Sequence, residues 1–128
     1  MGGQMVVPNQ DRDGVKVRAG CCTPFINEQL TDSEATQLAE TLSLLAHPIR
    51  LRLLTILARH AGHVCVCDLE AALPVKQPTV SHHLRLLRDG GLIEGERRGQ
   101  WVYYAIRREA LARVRTLIHT FFDQLGES

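Results

Sequence analysis

The sequence predicts a mainly α-helical domain that carries one β-hairpin, in the arrangement of a winged helix-turn-helix. Two short helical segments separated by a proline-containing turn make the helix-turn-helix. After them, β-branched and aromatic residues surround a basic glycine turn, which is typical of a hairpin. Apolar residues at helical spacing lie before and after these two features. The predicted order is therefore helix, helix, helix-turn-helix, hairpin, helix.

A proline separates the first two predicted helices. Thr31 and Glu34 fit a capping box, so the first helix is predicted to begin after Thr31. His47 interrupts it, because the residue before a proline avoids the helical region, and Pro48 can open the next helix. Apolar residues at helical spacing then continue toward Gly62, which is predicted to close the second helix.

The helix-turn-helix follows. A short helix is predicted over residues 68–73, and Pro74 ends it. A longer helix is predicted over residues 78–89, with Pro78 in its first turn and the glycine pair at residues 90–91 as its C-terminal stop.

The hairpin and the last helix complete the domain. Residues 92–96 and 101–106 are predicted as strands, with Arg97-Arg98-Gly99-Gln100 as the turn. The last helix is predicted over residues 108–125. Its apolar stripe is wide enough to serve a dimer interface as well as the core: Leu111, Val114, Leu117, Ile118, Phe121, Phe122 and Leu125.

Residues 1–30 differ from the rest of the chain. They hold two prolines, four glycines and no apolar period, so we expect a flexible N-terminal arm. Since 128 residues suffice for one domain but not for two, residues 31–126 are predicted to form a single domain for DNA binding and dimerisation.

Charge and hydropathy narrow the class of protein. The net charge is only +1, but residues 76–108 hold seven basic and three acidic residues and carry a local charge of +4, which suits a nucleic-acid partner. No apolar run approaches the roughly 20 residues of a membrane span, and no signal peptide is evident. We therefore expect a cytoplasmic protein without a membrane partner, in a compartment where thiols stay reduced.

All four cysteines occur in two pairs, Cys21-Cys22 in the arm and Cys65 and Cys67 ahead of the helix-turn-helix. Thiolates select soft ions. Residues two apart lie about 200° apart around a helix and on opposite faces of a strand. Chelation by both Cys65 and Cys67 therefore requires an irregular backbone or an unwound helix start. The alternative is that these two are small buried hydrophobes.

An enzyme is the rival from another class. Thiol reductases and arsenate reductases use a nucleophilic cysteine in a phosphate-type loop, or Cys-x-x-Cys beside a βαβ pattern. Neither spacing occurs, so we expect no catalytic activity.

Three motifs in order resemble the ArsR/SmtB repressors. Residues 45–51 resemble the opening of their domain, with His47 in place of the usual acidic residue; residues 64–69 resemble their metal box; residues 77–84 resemble their recognition helix. The resemblance covers roughly residues 33–124. It implies a homodimeric, metal(loid)-responsive transcriptional repressor that uses no organic cofactor and binds a palindromic operator.

The recognition helix and the hairpin are the expected DNA contacts. A recognition helix places its N-terminal residues in the major groove, and a basic hairpin tip lies on phosphates or in the minor groove. The alternative is a surface helix with a solvated loop. The expected contact residues are Gln77, Thr79, Ser81, His82, Arg85, Arg97, Arg98 and Gln100.

The resemblance also suggests how the thiol site is completed. Arsenic sensors of this family carry a third local cysteine where this chain has Glu70, so the missing sulfur must come from Cys21 or Cys22. As(III) or Sb(III), which take three sulfurs, are the favoured inducers. Cd(II) or Pb(II), which take up to four, and a thiol-redox switch are the alternatives.

A zinc site on the last helix, found in other members of the family, is not expected. The corresponding positions hold Arg108, Ala110, Phe121 and Gln124, none of which is a usable zinc ligand.

Overall fold

The computed structural model describes residues 30–126, and the described residues from Ser33 onward form one compact unit. The elements are α1 (Asp32–Leu45), α2 (Pro48–Ala58), β1 (Val64–Cys65), α3 (Val66–Ala72), α4 (Gln77–Asp89), β2 (Ile93–Arg98), β3 (Trp101–Ile106) and α5 (Arg108–Gly126). The winged helix-turn-helix predicted from the sequence is confirmed.

The core lies between α2, the two helices of the helix-turn-helix and the sheet. Helix α4 packs on α2, α3 and β2, while β3 packs on α2 and α3. Burial of one leucine side chain contributes about 1.5–3 kcal/mol, so this core fixes α4 firmly against the rest of the domain. Its fully buried large side chains are Leu53, Leu57, Leu69, Val80, Leu84, Leu87 and Ile93.

The break between α1 and α2 occurs where the sequence predicts it. His47 has an extended backbone, with φ of −151°, and its ring accepts a hydrogen bond from the Ile49 amide over 3.1 Å. This ring caps the start of α2, and Pro48 fills the first helical position. The predicted end at Gly62 is wrong, because α2 already stops at Ala58.

A distant arginine caps the early end of α2. The Arg108 guanidinium, at the start of α5, donates to the carbonyl oxygens of Ala58 over 3.1 Å and of His60 over 3.4 Å. The Ala58 carbonyl is one of the orphan carbonyls that every helix end leaves, and His60 lies just beyond the helix. No residue near Gly62 in the sequence signals this contact.

Strand β1 was not predicted, and it pairs with the hairpin. Val64 lies opposite Tyr104 and Cys65 opposite Tyr103, antiparallel to β3, so the sheet order is β1-β3-β2. Helix α3 starts at Val66, earlier than the predicted residue 68, because the Cys65 side chain accepts a hydrogen bond from the Cys67 amide and caps the helix.

The hairpin turn is tighter than predicted. Arg98 lies opposite Trp101 in the register of β2 and β3, so only Gly99 and Gln100 form the turn. Gly99 has φ of 66°, which glycine adopts at no steric cost. Arg97 and Arg98 are therefore strand residues rather than turn residues.

Helix α5 leaves much of its apolar stripe uncovered. Ala110 is its only buried residue, and Leu111 and Val114 pack partly against the core. Farther along, Phe122 is 61% and Leu125 is 63% exposed. The C-terminal half of α5 thus presents an apolar face that is only partly covered by the other described residues.

No single helix in residues 30–126 is long and apolar enough to cross a membrane. Only α1 and α2 counted together, across their 83° bend, reach that length and composition.

Candidate nucleic-acid interface and thiol site

Helix α4 has one buried face and one exposed face. Val80, Leu84 and Leu87 point into the core. Most of the residues predicted to read DNA lie on the other face: Gln77, Thr79, His82 and Arg85 are exposed, and Ser81 is partly buried. This face offers amide, hydroxyl, imidazole and guanidinium groups within one stretch of helix, which are the groups that contact base edges and phosphates.

The start of α4 adds a cation that the predicted set left out. Lys76 is the residue before the first turn, and its side chain makes no hydrogen bond to the helix. Pro78 has no amide hydrogen, and the Thr79 amide already donates to the Lys76 carbonyl. The Lys76 ammonium, rather than the helix amides, therefore suits one DNA phosphate. The position of Lys76 directly before the predicted recognition helix was the available sequence signal.

The two arginines of the hairpin differ in their partners. Arg98 lies 3.1 Å from Glu96 Oε1, and its guanidinium stacks over the Tyr103 ring at 4.6 Å. The hydrogen bond from Arg98 lowers the pKa of the Glu96 carboxyl. Arg97 is exposed and has no ion pair within the described part of the chain. With exposed Gln100 beside them, these side chains form the basic edge of the wing, on which Arg97 is the freer cation.

Cys65 and Cys67 lie at a junction between strand and helix. Cys65 ends β1 and is buried, while Cys67 is in the first turn of α3 and partly buried. The backbone changes from strand to helix between them, and the Cys67 amide donates to the Cys65 sulfur over 3.4 Å. The interaction with Cys65, followed by burial, raises the pKa of the Cys67 thiol. Both thiols are free. The irregular backbone that chelation by this pair requires is therefore present.

The described residues contain no complete metal site. Between residues 30 and 126, no group of three or more His, Cys, Asp or Glu side chains is placed to hold an ion. Cys21 and Cys22 lie outside the described residues, so their predicted role has no structural test. His63 is engaged elsewhere, because its Nε2 atom lies 3.3 Å from Glu94 and 3.6 Å from Glu96.

A polar cluster behind α4 was not found from the sequence. The rings of His47 and His83 lie 4.1 Å apart, and Arg50 Nη1 lies 3.2 Å from His83 Nδ1. Burial lowers the pKa of His83, with smaller contributions from His47, Arg50 and His82. We call His47, Arg50 and His83 the α2–α4 junction. A histidine at an inward position of α4 was the only sequence signal for it.

Comparison with known proteins places this architecture among bacterial regulators. Residues 47–94 match the family model described as bacterial regulatory protein, arsR family. The chain is 44% identical over 101 residues to the transcriptional repressor SmtB homolog of Synechocystis sp., an overlap of 79% of this chain and 73% of that protein. It is 35% identical over 122 residues to the putative arsenical resistance operon repressor ArsR2 of Halobacterium salinarum, an overlap of 94% of this chain and 98% of that protein.

A solved structure gives the same picture. The crystal structure of a possible transcriptional regulator for arsenical resistance superposes with a TM-score of 0.59 at 32% sequence identity. The match covers 66% of this chain and 91% of that one. The similarity thus extends to nearly the whole of the compared domain.

Proposed function

The chain belongs to the ArsR family of bacterial regulatory proteins, and we propose that it is a homodimeric repressor that leaves its operator when arsenite or antimonite binds its cysteine thiolates. The observation that carries this proposal is the position of the thiol pair. Cys65 and Cys67 lie at the start of α3, the first helix of the helix-turn-helix. An ion bound there acts directly on the element that precedes the recognition helix.

The DNA-binding half of the proposal uses the exposed face of α4 and the wing. Gln77 suits an adenine edge, and Arg85 suits a guanine edge or a phosphate. Arg97 and Lys76 suit phosphates, so binding should weaken as the salt concentration rises. Thr79, Ser81 and His82 complete the helix face, and Arg98 and Gln100 complete the wing.

The dimer in this proposal is formed through α5. Phe122 and Leu125 lie uncovered on the C-terminal half of the helix. Contiguous exposed apolar surface of this kind marks interaction sites. A second copy of the chain, related by two-fold symmetry, would cover the stripe and present two α4 helices to a palindromic operator.

The ligand set combines the described thiol pair with sulfurs from the N-terminal part of the chain. Cys65 and Cys67 supply two thiolates, and Cys21 or Cys22 supplies the third that As(III) or Sb(III) needs. The names of the Halobacterium relative and of the solved structure refer to arsenical resistance. This similarity favours arsenic as the inducer. Use of all four cysteines by Cd(II) or Pb(II) is the alternative.

The cap on α3 supplies a mechanism for release. The Cys65 sulfur accepts the Cys67 amide hydrogen bond over 3.4 Å. A thiolate that coordinates an ion must turn its lone pairs toward that ion, so we expect this cap to weaken and the first turn of α3 to rearrange. Since α3 packs on α4, the rearrangement alters the presentation of the recognition helix.

The proposal is tested with an operator duplex that the reduced protein selects from a random-sequence DNA pool. Operator affinity is then measured anaerobically at one salt concentration with no addition, with arsenite, with Cd(II) and with hydrogen peroxide. Loss of affinity with arsenite supports the proposal. Loss with Cd(II) alone assigns the alternative ion, and loss with peroxide alone assigns a redox switch. Failure to select any sequence contradicts DNA recognition itself.

The contribution of the N-terminal cysteines has its own control. In the Cys21→Ser/Cys22→Ser double variant, the chain keeps only the two thiols of the described domain. We expect this variant to bind operator and to lose most of its response to arsenite. A full response would show that Cys65 and Cys67 suffice without a third sulfur.

A further inference from the structure

Behind the recognition helix, one guanidinium makes a polar contact in addition to the apolar core. Arg50, on α2, lies with Nη1 3.2 Å from His83 Nδ1 on α4 and donates through Nη2 to the Ser43 carbonyl of α1 over 3.3 Å. Arg50 thus connects three helices at the point where α4 meets the rest of the domain. His83 is only 6% exposed, so its partner cannot be replaced by bulk water.

The hydrogen bonds fix the protonation states of both histidines. A guanidinium has donors and no acceptor, so His83 Nδ1 must accept from Arg50 and the ring must carry its proton on Nε2. His47 Nδ1 accepts from the Ile49 amide over 3.1 Å, which requires the same neutral form. If His83 carried a proton on Nδ1, that N–H would face the Arg50 N–H, and neither could accept a hydrogen bond. A proton on His47 Nδ1 would face the Ile49 amide N–H in the same way.

The charge at the junction has no carboxylate to balance it. Within residues 30–126, Arg50 forms no ion pair, and its Nε atom is buried without a partner. The His82 ring lies 5.3 Å from His83. Helix α3 and strand β2 also pack on α4, but the charges that act on His83 come from His47, Arg50 and His82. A proton on His83 would therefore add a positive charge to a site that holds only cationic and neutral groups.

We propose that Arg50 and His47 are positioning residues for operator recognition. Arg50 fixes α4 through the unprotonated Nδ1 of His83, and His47 packs its ring against the His83 ring. Protonation of this α2–α4 junction lowers the affinity for operator DNA. The proposal rests on the DNA-binding half of the proposed function and is independent of the thiol site. It adds a sensitivity to acid that the inducer does not control.

A second histidine acts in the opposite direction. His82 is exposed on the DNA-reading face of α4, and its protonation would add a positive charge near the phosphates and strengthen binding. The pH dependence of the wild-type operator affinity therefore combines the effect of the α2–α4 junction with that of His82. Replacement of His83 removes one of them and leaves the other.

The experiment measures the operator affinity at about pH 7.5 and about pH 5. The acid condition lies well below the ordinary histidine pKa because burial lowers the pKa of His83. It uses the full-length, reduced, ion-free protein at one salt concentration and the operator duplex selected by the wild type. The readout for each protein is the ratio of the two affinities. One proton released on binding changes affinity by up to tenfold per pH unit. We expect the acid-induced loss to be at least about threefold larger in the wild type than in His83→Asn, whose amide oxygen is as many bonds from Cα as Nδ1 and can still accept from Arg50.

A second variant covers the case in which His83→Asn does not fold. His47→Asn keeps a side chain that caps α2 and removes one of the two titratable rings of the junction. It should also show a smaller acid-induced loss than the wild type. His60→Gln, an exposed histidine on the loop after α2, is the control and should keep the wild-type ratio.

Three outcomes decide the matter. A smaller loss in either junction variant, with the control unchanged, supports the proposal. Equal ratios in the wild type and in every folded junction variant overturn it. If the wild type selects no operator sequence, the DNA-binding half of the proposed function has failed, and the junction has no recognition to position.

Discussion

At the scale of single residues, two helices begin on side chains that can change chemical state. Helix starts are usually capped by Ser, Thr, Asp or Asn. Here the sulfur of Cys65 caps α3, and the ring of His47 caps α2. In the proposals above, an ion bound at Cys65 weakens the first cap, and the second cap belongs to the α2–α4 junction. Both caps start helices that pack against the recognition helix, which connects local chemistry to DNA binding.

The α2–α4 junction marks the limit of residue-level prediction. The sequence correctly predicts His47 as the break before α2, because the proline that follows is a local signal. It does not predict the contact of Arg50 with His83, which are 33 positions apart and meet only through packing of two helices. Contacts of that separation leave no local pattern.

Gly91 gives a stability prediction at this scale. Its φ of 83° ends the recognition helix in the left-handed region, which costs a residue with a Cβ about 1–2 kcal/mol. We expect Gly91→Ala to lower the free energy of unfolding by about that amount. Gly62→Ala is the matched control, since an added Cβ meets no atom within 4 Å at either position and only Gly91 has a positive φ. Denaturant unfolding of both variants checks the prediction, and equal losses would contradict it.

At the scale of elements, the sequence predicts the helices of the helix-turn-helix and the hairpin, because proline and glycine residues mark where each element begins or ends. Pro78 and the glycine pair at residues 90–91 bound α4 closely. The sequence misses β1, since two residues show no period and pairing with Tyr103 and Tyr104 defines the strand. It also places the end of α2 too late. The residue that caps this end, Arg108, is 50 positions away in the sequence and gives no local signal.

The missed strand gives a prediction about the wing. Cys65 pairs with Tyr103 in β3, and the chain's single tryptophan, Trp101, lies in the same strand and is 42% exposed. An ion that engages Cys65 should disturb this ladder, so we expect arsenite to change the fluorescence emission of Trp101 in the absence of DNA. The Cys65→Ser variant, whose hydroxyl can still cap α3, serves as control and should not respond. Unchanged emission in the wild type at full arsenite occupancy would show that ion binding at Cys65 causes no structural change in the wing through β1.

At the scale of the whole molecule, the proposed dimer depends on α5. Charge on its exposed apolar face should separate the subunits, because a carboxylate loses hydration on burial without a partner. We expect Phe122→Glu to convert a dimer into a monomer and to weaken operator binding, since each half-site would then be bound separately. Light scattering coupled to gel filtration checks the mass.

A matched control separates the position from the added charge. Thr116 lies on α5 and is exposed, and helical geometry places it on the side opposite the apolar stripe. Thr116→Glu should remain dimeric and keep the wild-type operator affinity. A monomeric wild type, or dissociation in both variants alike, would contradict the assignment of the stripe to the dimer.

The central claim is that ion binding at the thiol pair weakens operator binding. The measurement that tests it most directly is the operator affinity of the reduced protein with and without saturating arsenite, at one salt concentration. It is made in parallel for the wild type and for the Cys65→Ser/Cys67→Ser double variant. Couplings of this kind are about 1–3 kcal/mol, so we predict a loss of about tenfold to a hundredfold in the wild type and none in the double variant. Equal affinity with and without arsenite in the wild type, or an equal loss in the double variant, would contradict the claim.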